Sequence, residues 1–490
     1  MKNNIAYCDK EILDVYLNQD LFHPDQYFEV LVDRANHGMG WIVPVNNDTR
    51  QSTGIELIIR PECNQKCEYC YIARYGDTLY PHAERISRDQ ILKNVDSILE
   101  YVFVTKKYYG CHWELFAGDL FYDNIYFDIL DIFYKYLKPL YDKYPQIFKA
   151  NEGLILTPTN FSFIDDDEKT ARVEDYIDKF AGINWELGFS ISTDGKYAVD
   201  TREQREVDDI HFDKLFKWTL KYPKGGFHPI LSASNIQNGI KNYVWWKEQF
   251  AKYYADKGPN AYSPLPYWLE ARNDEWTSDK IQLYLDLLDY MVEDRLAMCN
   301  DNIDELAFHL FSGSGDHGTL PALLHFDLLN INPIGGGTEV GSNVHSCSIA
   351  GLVCINVSNF AIVPCHRLTY RQFKGGHFIV DENNKIIDAE PYNIGTYLNM
   401  VLMPAAAHPT CSQCTYNSLC HKGCIGAQFE ASGEPFLPCL SVCDLYKNWY
   451  RHLIVKYDEM GILESGYNQG IIPEEMRLVY DTILQEGFHG

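Results

Sequence analysis

Residues 55–71 read Ile-Glu-Leu-Ile-Ile-Arg-Pro-Glu-Cys-Asn-Gln-Lys-Cys-Glu-Tyr-Cys-Tyr and combine an apolar run with three closely spaced cysteines. Its apolar first half predicts a short β-strand that breaks at Pro61. The loop that follows carries Cys63, Cys67 and Cys70. A tight loop at a strand end can turn three thiols toward one soft metal centre. A structural zinc site needs four ligands, and no fourth Cys or His stands nearby, so one coordination position is left for a ligand that is not protein.

The spacing Cys-x3-Cys-x2-Cys, with Tyr69 directly before the last cysteine, resembles the signature of radical S-adenosylmethionine (SAM) enzymes. In that family a [4Fe-4S] cluster binds SAM at its open iron and donates the electron that cleaves SAM to a 5′-deoxyadenosyl radical. The resemblance implies that the three cysteines hold this cluster and that Tyr69 belongs to the SAM site. It also implies an electron donor such as flavodoxin or ferredoxin.

Composition excludes several other classes of protein. Among 490 residues, 42 are Lys or Arg and 68 are Asp or Glu, which gives a formal charge of −26 and argues against a general nucleic-acid binder. No apolar run has the length of a membrane span, and the N-terminus lacks the apolar core of a signal peptide. We therefore expect a soluble cytoplasmic protein in which most of the 15 cysteines ligate metal instead of forming disulfides.

The chain from residue 55 to about 269 alternates apolar runs with amphipathic stretches, a pattern typical of βα units around a parallel sheet. Six runs, at 55–59, 112–116, 153–157, 187–192, 228–233 and 263–269, predict an α/β fold with a partial (β/α)6 TIM-like barrel. The radical SAM resemblance implies the same fold. Catalytic groups in such barrels lie at the C-terminal ends of the strands, where the first cysteine loop is also placed.

The second and third strand ends are similar to SAM-binding positions of the family. Where the family has Gly-Gly-Glu-Pro, this chain has Ala-Gly-Asp-Leu at 117–120, so Gly118 would let backbone approach the SAM amino group and Asp119 would accept a hydrogen bond from it. An ordinary loop is the alternative. Asn160 follows the third run, where the family often has Thr-Asn-Gly.

The fourth run leads into Ser-Ile-Ser-Thr-Asp-Gly at 190–195, which resembles the family's Ser-x-Asp-Gly. The resemblance places Ser190, Ser192 and Asp194 at the ribose or carboxylate of SAM. Arg202 and Arg205 compete for the role of clamping that carboxylate, and an exposed charge pair at a helix start is the alternative.

The end of the sixth run supplies further polar side chains near the expected substrate position. Glu270, Arg272 and Asn273 either face the top of the barrel or form a structural salt-bridge cluster. A general base would take up the second substrate proton, and the candidates are Asp194, Glu270 and Asp274.

A second group of cysteines begins near residue 347 and resembles the SPASM domain, which carries two auxiliary iron-sulfur clusters. The central array is Cys-x2-Cys-x5-Cys-x3-Cys. The resemblance implies that auxiliary cluster I takes Cys347, Cys354, Cys365 and Cys424, and that cluster II takes Cys411, Cys414 and Cys420, closed by Cys443 or Cys439. A zinc ribbon is the alternative for the array. If Cys354 is instead a buried strand thiol, cluster I has an open iron. Cys8, Cys111 and Cys299 are interpreted as core thiols.

These patterns predict five segments: an N-terminal extension (1–54), the radical SAM partial barrel (55–276), a bridging helix and loop (277–344), the SPASM domain (345–450) and a helical tail (451–490). The resemblance implies an oxidoreductase that uses SAM and three [4Fe-4S] clusters on a ribosomally made precursor peptide, which it oxidises or crosslinks after hydrogen abstraction. The alternatives are an anaerobic sulfatase-maturating enzyme, which generates formylglycine, and a non-catalytic zinc-binding scaffold.

Overall fold

The computed structural model describes residues 54–105, 112–145, 148, 153–198, 208–222, 225–254, 268–270, 276–311, 329, 352–391, 409–417, 419–420, 424–435 and 440–486. The chain divides into two compact units. The first comprises residues 1–192, 208–225 and 348–403, and the second comprises 193–207, 226–347 and 404–490. The five predicted segments stay a prediction.

A sheet with a parallel centre organises the first unit. Its strands are β1 (Gly54–Arg60), β2 (His112–Ala117), β3 (Gly153–Thr159), β4 (Trp185–Ile191), β5 (Gly225–Phe227), β8 (Leu352–Asn356), β9 (Ala361–Val363), β10 (Gly376–Val380) and β11 (Ile386–Pro391). The order is β11-β10-β9-β8-β1-β2-β3-β4-β5. From β8 through β4 the neighbours are parallel, whereas β8 to β11 form an antiparallel meander. The first four apolar runs are therefore confirmed as neighbouring strands of a mixed α/β fold.

The helices of the first unit are α1 (Tyr71–Leu79), α2 (Arg88–Glu100), α3 (Ile125–Lys143), α4 (Asp167–Ala181) and α5 (Asp209–Lys221). Side-chain caps fix three of their starts: Ser87 Oγ accepts from the N–H of Gln90 at α2, and Asp166 and Asp208 cap α4 and α5 in the same way. Each cap satisfies a backbone donor that the first helical turn leaves unpaired.

One face of the sheet is apolar and the other carries polar groups. Leu57, Trp113 and Ile155 are fully buried, and the Trp113 ring meets Phe133 of α3 edge to face at 5.1 Å between centroids. Since side chains alternate along a strand, Glu56 of β1 lies on the opposite face. This second face is where a polar site can be built.

The second unit is mainly helical. It holds α6 (Gly239–Tyr254), α7 (Ser278–Met298), α8 (Ile303–Phe311), α9 (Pro409–Ser412), α10 (Ile425–Ser432), α11 (Leu440–Glu459), α12 (Ile462–Asn468) and α13 (Glu474–Gln485), together with β6 (Ile230–Ser232) and β7 (Trp268–Glu270). Helix α7 meets α11 through Tyr284 and Trp449, whose rings are 5.9 Å apart, and through an ion pair between Asp289 and Lys456. Helix α7 therefore lies at the start of the segment 277–344, for which a bridging helix was predicted.

Strand β6 lies within the fifth apolar run, and β7 begins at residue 268, at the end of the sixth. The two strands pair with each other in parallel as a separate two-stranded sheet. Closure of six strands into a partial barrel stays a prediction. Among the described helices, none combines the length and apolarity that crossing a membrane requires.

Candidate metal centre

The cysteine loop starts where β1 ends and closes where α1 begins. Inside it, the N–H of Cys70 donates to the carbonyl of Cys67 at 2.9 Å, and the N–H of Gln65 donates to Cys63 Sγ at 3.4 Å. These bonds fold the loop into two short turns, and all three thiols are half-buried. A strand that stops at Pro61 and a helix that starts at Tyr71 therefore present three sulfurs within one small loop.

The three thiols are electrostatically linked. Burial is the main reason that the pKa of the Cys63 thiol rises to about 12, and the neighbouring Asp119, Cys67 and Cys70 raise it further. Such a thiol carries its proton at neutral pH, and a cationic metal centre would displace it. Three convergent thiols suit a soft metal, and three is the number that leaves an iron of a [4Fe-4S] cluster open.

Gly118, at the end of β2, lies directly against this loop. Its N–H donates to the carbonyl of Arg60 at 3.0 Å, and the next N–H, of Asp119, donates to the carbonyl of Glu62 at 2.9 Å. A Cβ at Gly118 would stand 2.1 Å from Glu62 O and 2.5 Å from Pro61 O. Only glycine permits this approach, because the atoms in the way are backbone.

Asp119 is almost completely buried and organises the neighbouring strand ends. Its carboxylate accepts hydrogen bonds from the N–H of Phe121 (2.9 Å), the hydroxyl of Thr159 (3.0 Å) and the N–H of Asn160 (2.9 Å). Burial raises the pKa of Asp119, while these bonds lower it. The carboxylate thus connects the ends of β2 and β3 through hydrogen bonds. Its contact with SAM stays a prediction.

Asn160 reaches from the end of β3 to the cysteine loop. Its Nδ2 donates to Asn64 Oδ1 at 2.6 Å and lies 3.9 Å from Cys63 Sγ. Asn64 in turn donates to Ser162 Oγ at 3.2 Å. The structure therefore brings Asn160 to the first predicted metal centre, together with Gly118 and Asp119.

Ser190 and Ser192 mark the end of β4, beside the end of β3. Ser190 pairs in register with Pro158, and the N–H of Ser192 donates to the carbonyl of Thr159 at 2.8 Å. Tyr69 is buried within the cysteine loop. Their predicted SAM contacts remain untested.

Asp194 lies in the second unit and is almost completely buried. One carboxylate oxygen accepts from the N–H of Ile230 at 2.9 Å, and its carbonyl accepts from Asn242. Gly195 has φ +94°, and a Cβ there would stand 2.6 Å from Asn242 Oδ1. Asn242 lies on α6 and was not among the predicted site residues. It holds this turn in place and also accepts a hydrogen bond from the N–H of Tyr197. The roles of Asp194 as SAM contact and as base stay predictions.

Several predicted site residues lie outside the described residues: Cys8, Cys111, Arg202, Arg205, Arg272, Asn273, Asp274, Cys347 and Cys439. Glu270 is the last residue of β7, so its backbone is placed at a strand end as expected, and its proposed role as a base stays a prediction.

A buried polar cluster on the second face of the sheet was missed by the sequence analysis. Glu56 pairs in register with Glu114 and with Cys354, and His366 Nδ1 lies 2.8 Å from Glu56 Oε2. Phe116 stacks on the His366 ring at 3.7 Å. Burial first, and the Glu56 carboxylate second, raise the pKa of Glu114 to about 7. A charged residue inside each of two apolar strand runs was the available signal.

The hairpin of β8 and β9 brings two predicted ligands of auxiliary cluster I together. Cys354 is buried on β8, and burial raises the pKa of its thiol well above the usual value, with Glu56 and Cys365 as further causes. Cys347 lies outside the described residues and Cys424 belongs to the second unit, so the four-thiolate set stays a prediction. An open iron at this cluster likewise stays untested.

Four thiols of the second unit lie near one another. Burial raises the pKa of the Cys443 thiol to about 12. The nearby thiols of Cys420, Cys411 and Cys414 raise this pKa further, whereas Lys447 lowers it. The N–H of Cys414 donates to the carbonyl of Cys411 at 3.1 Å, which turns the first pair of thiols together. Cys443 comes from α11, so a helix distant in sequence completes this set.

Comparison with known proteins gave one fold likeness that we report. No family model matches the chain, and no curated protein matches it. A solved structure described as "Native anSMEcpe with bound AdoMet and Cp18Cys peptide" is similar to this chain, with 15% sequence identity and a TM-score of 0.46. The match covers 85% of this chain and 99% of the chain in that structure.

Proposed function

We propose that this chain is a radical SAM enzyme that modifies a peptide and uses auxiliary iron-sulfur clusters in doing so. The observation that carries the proposal is the loop of Cys63, Cys67 and Cys70 at the C-terminal end of β1. The spacing of the loop resembles the radical SAM signature, and the three thiols interact with one another. The ends of β2 and β3 contact the same loop through Gly118 and Asn160.

The three thiols would hold the first [4Fe-4S] cluster. When bound to that cluster, SAM supplies a 5′-deoxyadenosyl radical that abstracts hydrogen from an unactivated carbon. The protein's own part is positional: the Gly118 backbone brings the end of β2 within hydrogen-bond distance of the loop, and Asp119 ties that end to β3. Asn160 would keep Cys63 in place through its contacts with Asn64 and the sulfur.

The second unit would hold auxiliary cluster II. Cys411, Cys414, Cys420 and Cys443 supply four thiolates, the number that closes a [4Fe-4S] cluster. We propose Cys443 as the fourth ligand because it interacts with the other three thiols; Cys439 lies outside the described residues. Cys354 and Cys365 would belong to cluster I on the hairpin.

The substrate class rests on the resemblance to SPASM enzymes, which mostly act on peptides. We propose a ribosomally made precursor peptide that is oxidised or crosslinked, with an electron donor such as flavodoxin or ferredoxin. An anaerobic sulfatase-maturating activity is the alternative within the enzyme class, and a zinc-binding scaffold is the alternative of another class.

The first test is iron and acid-labile sulfide per chain after anaerobic reconstitution. Three [4Fe-4S] clusters require about twelve of each. A value near four, with zinc accounting for the remaining thiols, would reduce the second cysteine group to a structural site. A colourless protein that does not bind SAM would instead establish the zinc scaffold.

A second test separates the roles of the two cysteine groups. In Cys414→Ala we expect some 5′-deoxyadenosine formation to remain while peptide modification stops, because the first cluster keeps all its ligands. Full product formation by this variant would contradict a catalytic role for cluster II.

A third test separates the two peptide-directed reactions. The reconstituted enzyme is incubated with SAM and one of two peptides. The first is a small peptide encoded next to the gene for this chain, and the second is a sulfatase peptide that carries the target Ser or Cys. Mass loss on the encoded peptide supports the maturase, and formylglycine on the sulfatase peptide supports the alternative.

A further inference from the structure

A cluster of metal-ligating side chains lies in the second unit, apart from both cysteine groups in sequence. Helix α7 ends at Met298, and α8 begins only five residues later, at Ile303. Asn300 and Asp301, with φ of +52° and +59°, make the reversal between them. The N–H of Cys299 still donates to the carbonyl of Arg295, so Cys299 continues the last turn of α7.

Helix α8 supplies the other two side chains. Glu305 and His309 are four residues apart and therefore share one face of the helix. Glu305 Oε1 lies 3.8 Å from His309 Nε2. The sulfur of Cys299, a carboxylate oxygen of Glu305 and a ring nitrogen of His309 all lie within 4.8 Å of one another.

The three side chains that would ligate the ion are buried to different extents, which suits an ion bound at the edge of the core. Cys299 is fully buried and the His309 side chain is 6% exposed, whereas that of Glu305 is 30% exposed. The buried sulfur thus lies within 4.8 Å of a carboxylate oxygen and of a ring nitrogen, at the partly exposed edge that Glu305 forms.

We propose that Cys299, Glu305 and His309 form a site for a zinc-class divalent cation, with a fourth position open to water. Thiolate, imidazole and carboxylate are the three donor types that zinc accepts in proteins. The ion would crosslink the end of α7 to one face of α8. This site goes beyond the proposed radical chemistry and does not depend on it.

Arg295 provides the competing explanation. It is buried, and its positive charge interacts with Cys299. Burial raises the pKa of the Cys299 thiol to about 11, so a protonated thiol packed beside Arg295 would need no metal. The cluster would then be a structural arrangement of packed side chains. The two explanations differ in whether the cluster retains zinc.

The test is zinc retention by the full chain after its iron-sulfur clusters have been reconstituted. The protein is equilibrated with zinc sulfate, freed of excess ion and analysed for zinc per chain and by zinc K-edge X-ray absorption. We expect about one zinc with one sulfur at about 2.3 Å and nitrogen or oxygen neighbours at about 2.0 to 2.2 Å.

Glu305→Ala is the main variant, because its partly exposed side chain can be removed without opening the core. Loss of outer partners alone weakens metal sites about 10- to 100-fold, so we expect zinc affinity to fall at least about tenfold here. Cys299→Ala should lose the sulfur signal. His377→Ala is the matched control, since His377 lies 3.8 Å from Glu390 with both side chains exposed.

Equal zinc affinity in Glu305→Ala and His377→Ala would overturn the proposal. An absorption spectrum with four sulfurs would also overturn it, because that zinc would sit in a cysteine group instead. Neither result depends on SAM cleavage, so the outcome is separate from that of the proposed function.

Discussion

Replacing Gly118 with alanine tests whether the end of β2 must approach the cysteine loop as closely as the structure has it. The added Cβ would stand 2.1 Å from Glu62 O, 2.4 Å from Glu62 C and 2.5 Å from Pro61 O. Backbone atoms cannot rotate aside as a flexible side chain can. The strand end must therefore move away from the loop, and the hydrogen bonds from the N–H groups of Gly118 and Asp119 to the loop carbonyls are lost.

The expected cost follows from these two effects. Overpacking costs about 1 to 3 kcal/mol, and two lost backbone hydrogen bonds cost about 1 kcal/mol each. We therefore expect Gly118→Ala to lower the free energy of unfolding by about 3 to 5 kcal/mol. The displaced loop should also hold its metal poorly, so iron per chain should fall as well.

In the assay, the reconstituted protein is unfolded with urea in the absence of oxygen, and the unfolding is monitored by circular dichroism. Gly76→Ala is the control, because Gly76 lies in α1, directly after the loop, with no foreign atom closer than 3.9 Å to an added Cβ. Alanine in a helix is favoured by about 0.5 to 1 kcal/mol over glycine. Equal urea midpoints for the two variants would refute the reasoning.

Three further changes test other parts of the site. Cys67→Ala should abolish 5′-deoxyadenosine formation and remove about four iron atoms per chain, since one of three cluster ligands is lost; wild-type formation would overturn the assignment. Burial, then Glu56, raise the pKa of Glu114 to about 7. The folded protein therefore holds this proton more tightly than the unfolded chain, and stability falls as pH rises from the ordinary value toward 7. Glu114→Gln should gain thermal stability over wild type as pH rises from about 5 to about 7, while Glu390→Gln, at an exposed side chain, should not; parallel curves would contradict this. Asn242→Ala should lower the free energy of unfolding by about 2 to 3 kcal/mol, measured by urea unfolding, because two hydrogen bonds to the turn after β4 are lost; an unchanged midpoint would contradict it.

Local sequence patterns were sufficient for much of the fold and for the centre of the site. The run at 55–59 lies within β1, and the bridging helix predicted for 277–344 is α7. The loop with Cys63 also lies where a strand break at Pro61 predicts it. Asn160 contacts that loop, although its predicted partner was SAM.

Contacts between distant parts of the chain could not be read in the same way. Strand β8 pairs with β1 in parallel, so that Cys354 stands opposite Glu56 across almost 300 intervening positions. His366 reaches the same carboxylate only because the β8–β9 hairpin turns it there. The interaction of Cys443 with Cys420, Cys411 and Cys414, and the grouping of Cys299 with Glu305 and His309, likewise depend on packing.

Sequence patterns alone were enough to predict the first four parallel strands, the loop that carries three thiols, and the chemistry that three thiols favour. Hydrophobic period, proline breaks and ligand spacing act over a few residues, so a single chain displays them directly. The tertiary structure alone decided which strand adjoins β1, which carboxylates share a buried face, and which thiols meet. Those outcomes depend on strand register and on burial summed over the whole chain, and no short stretch contains that information.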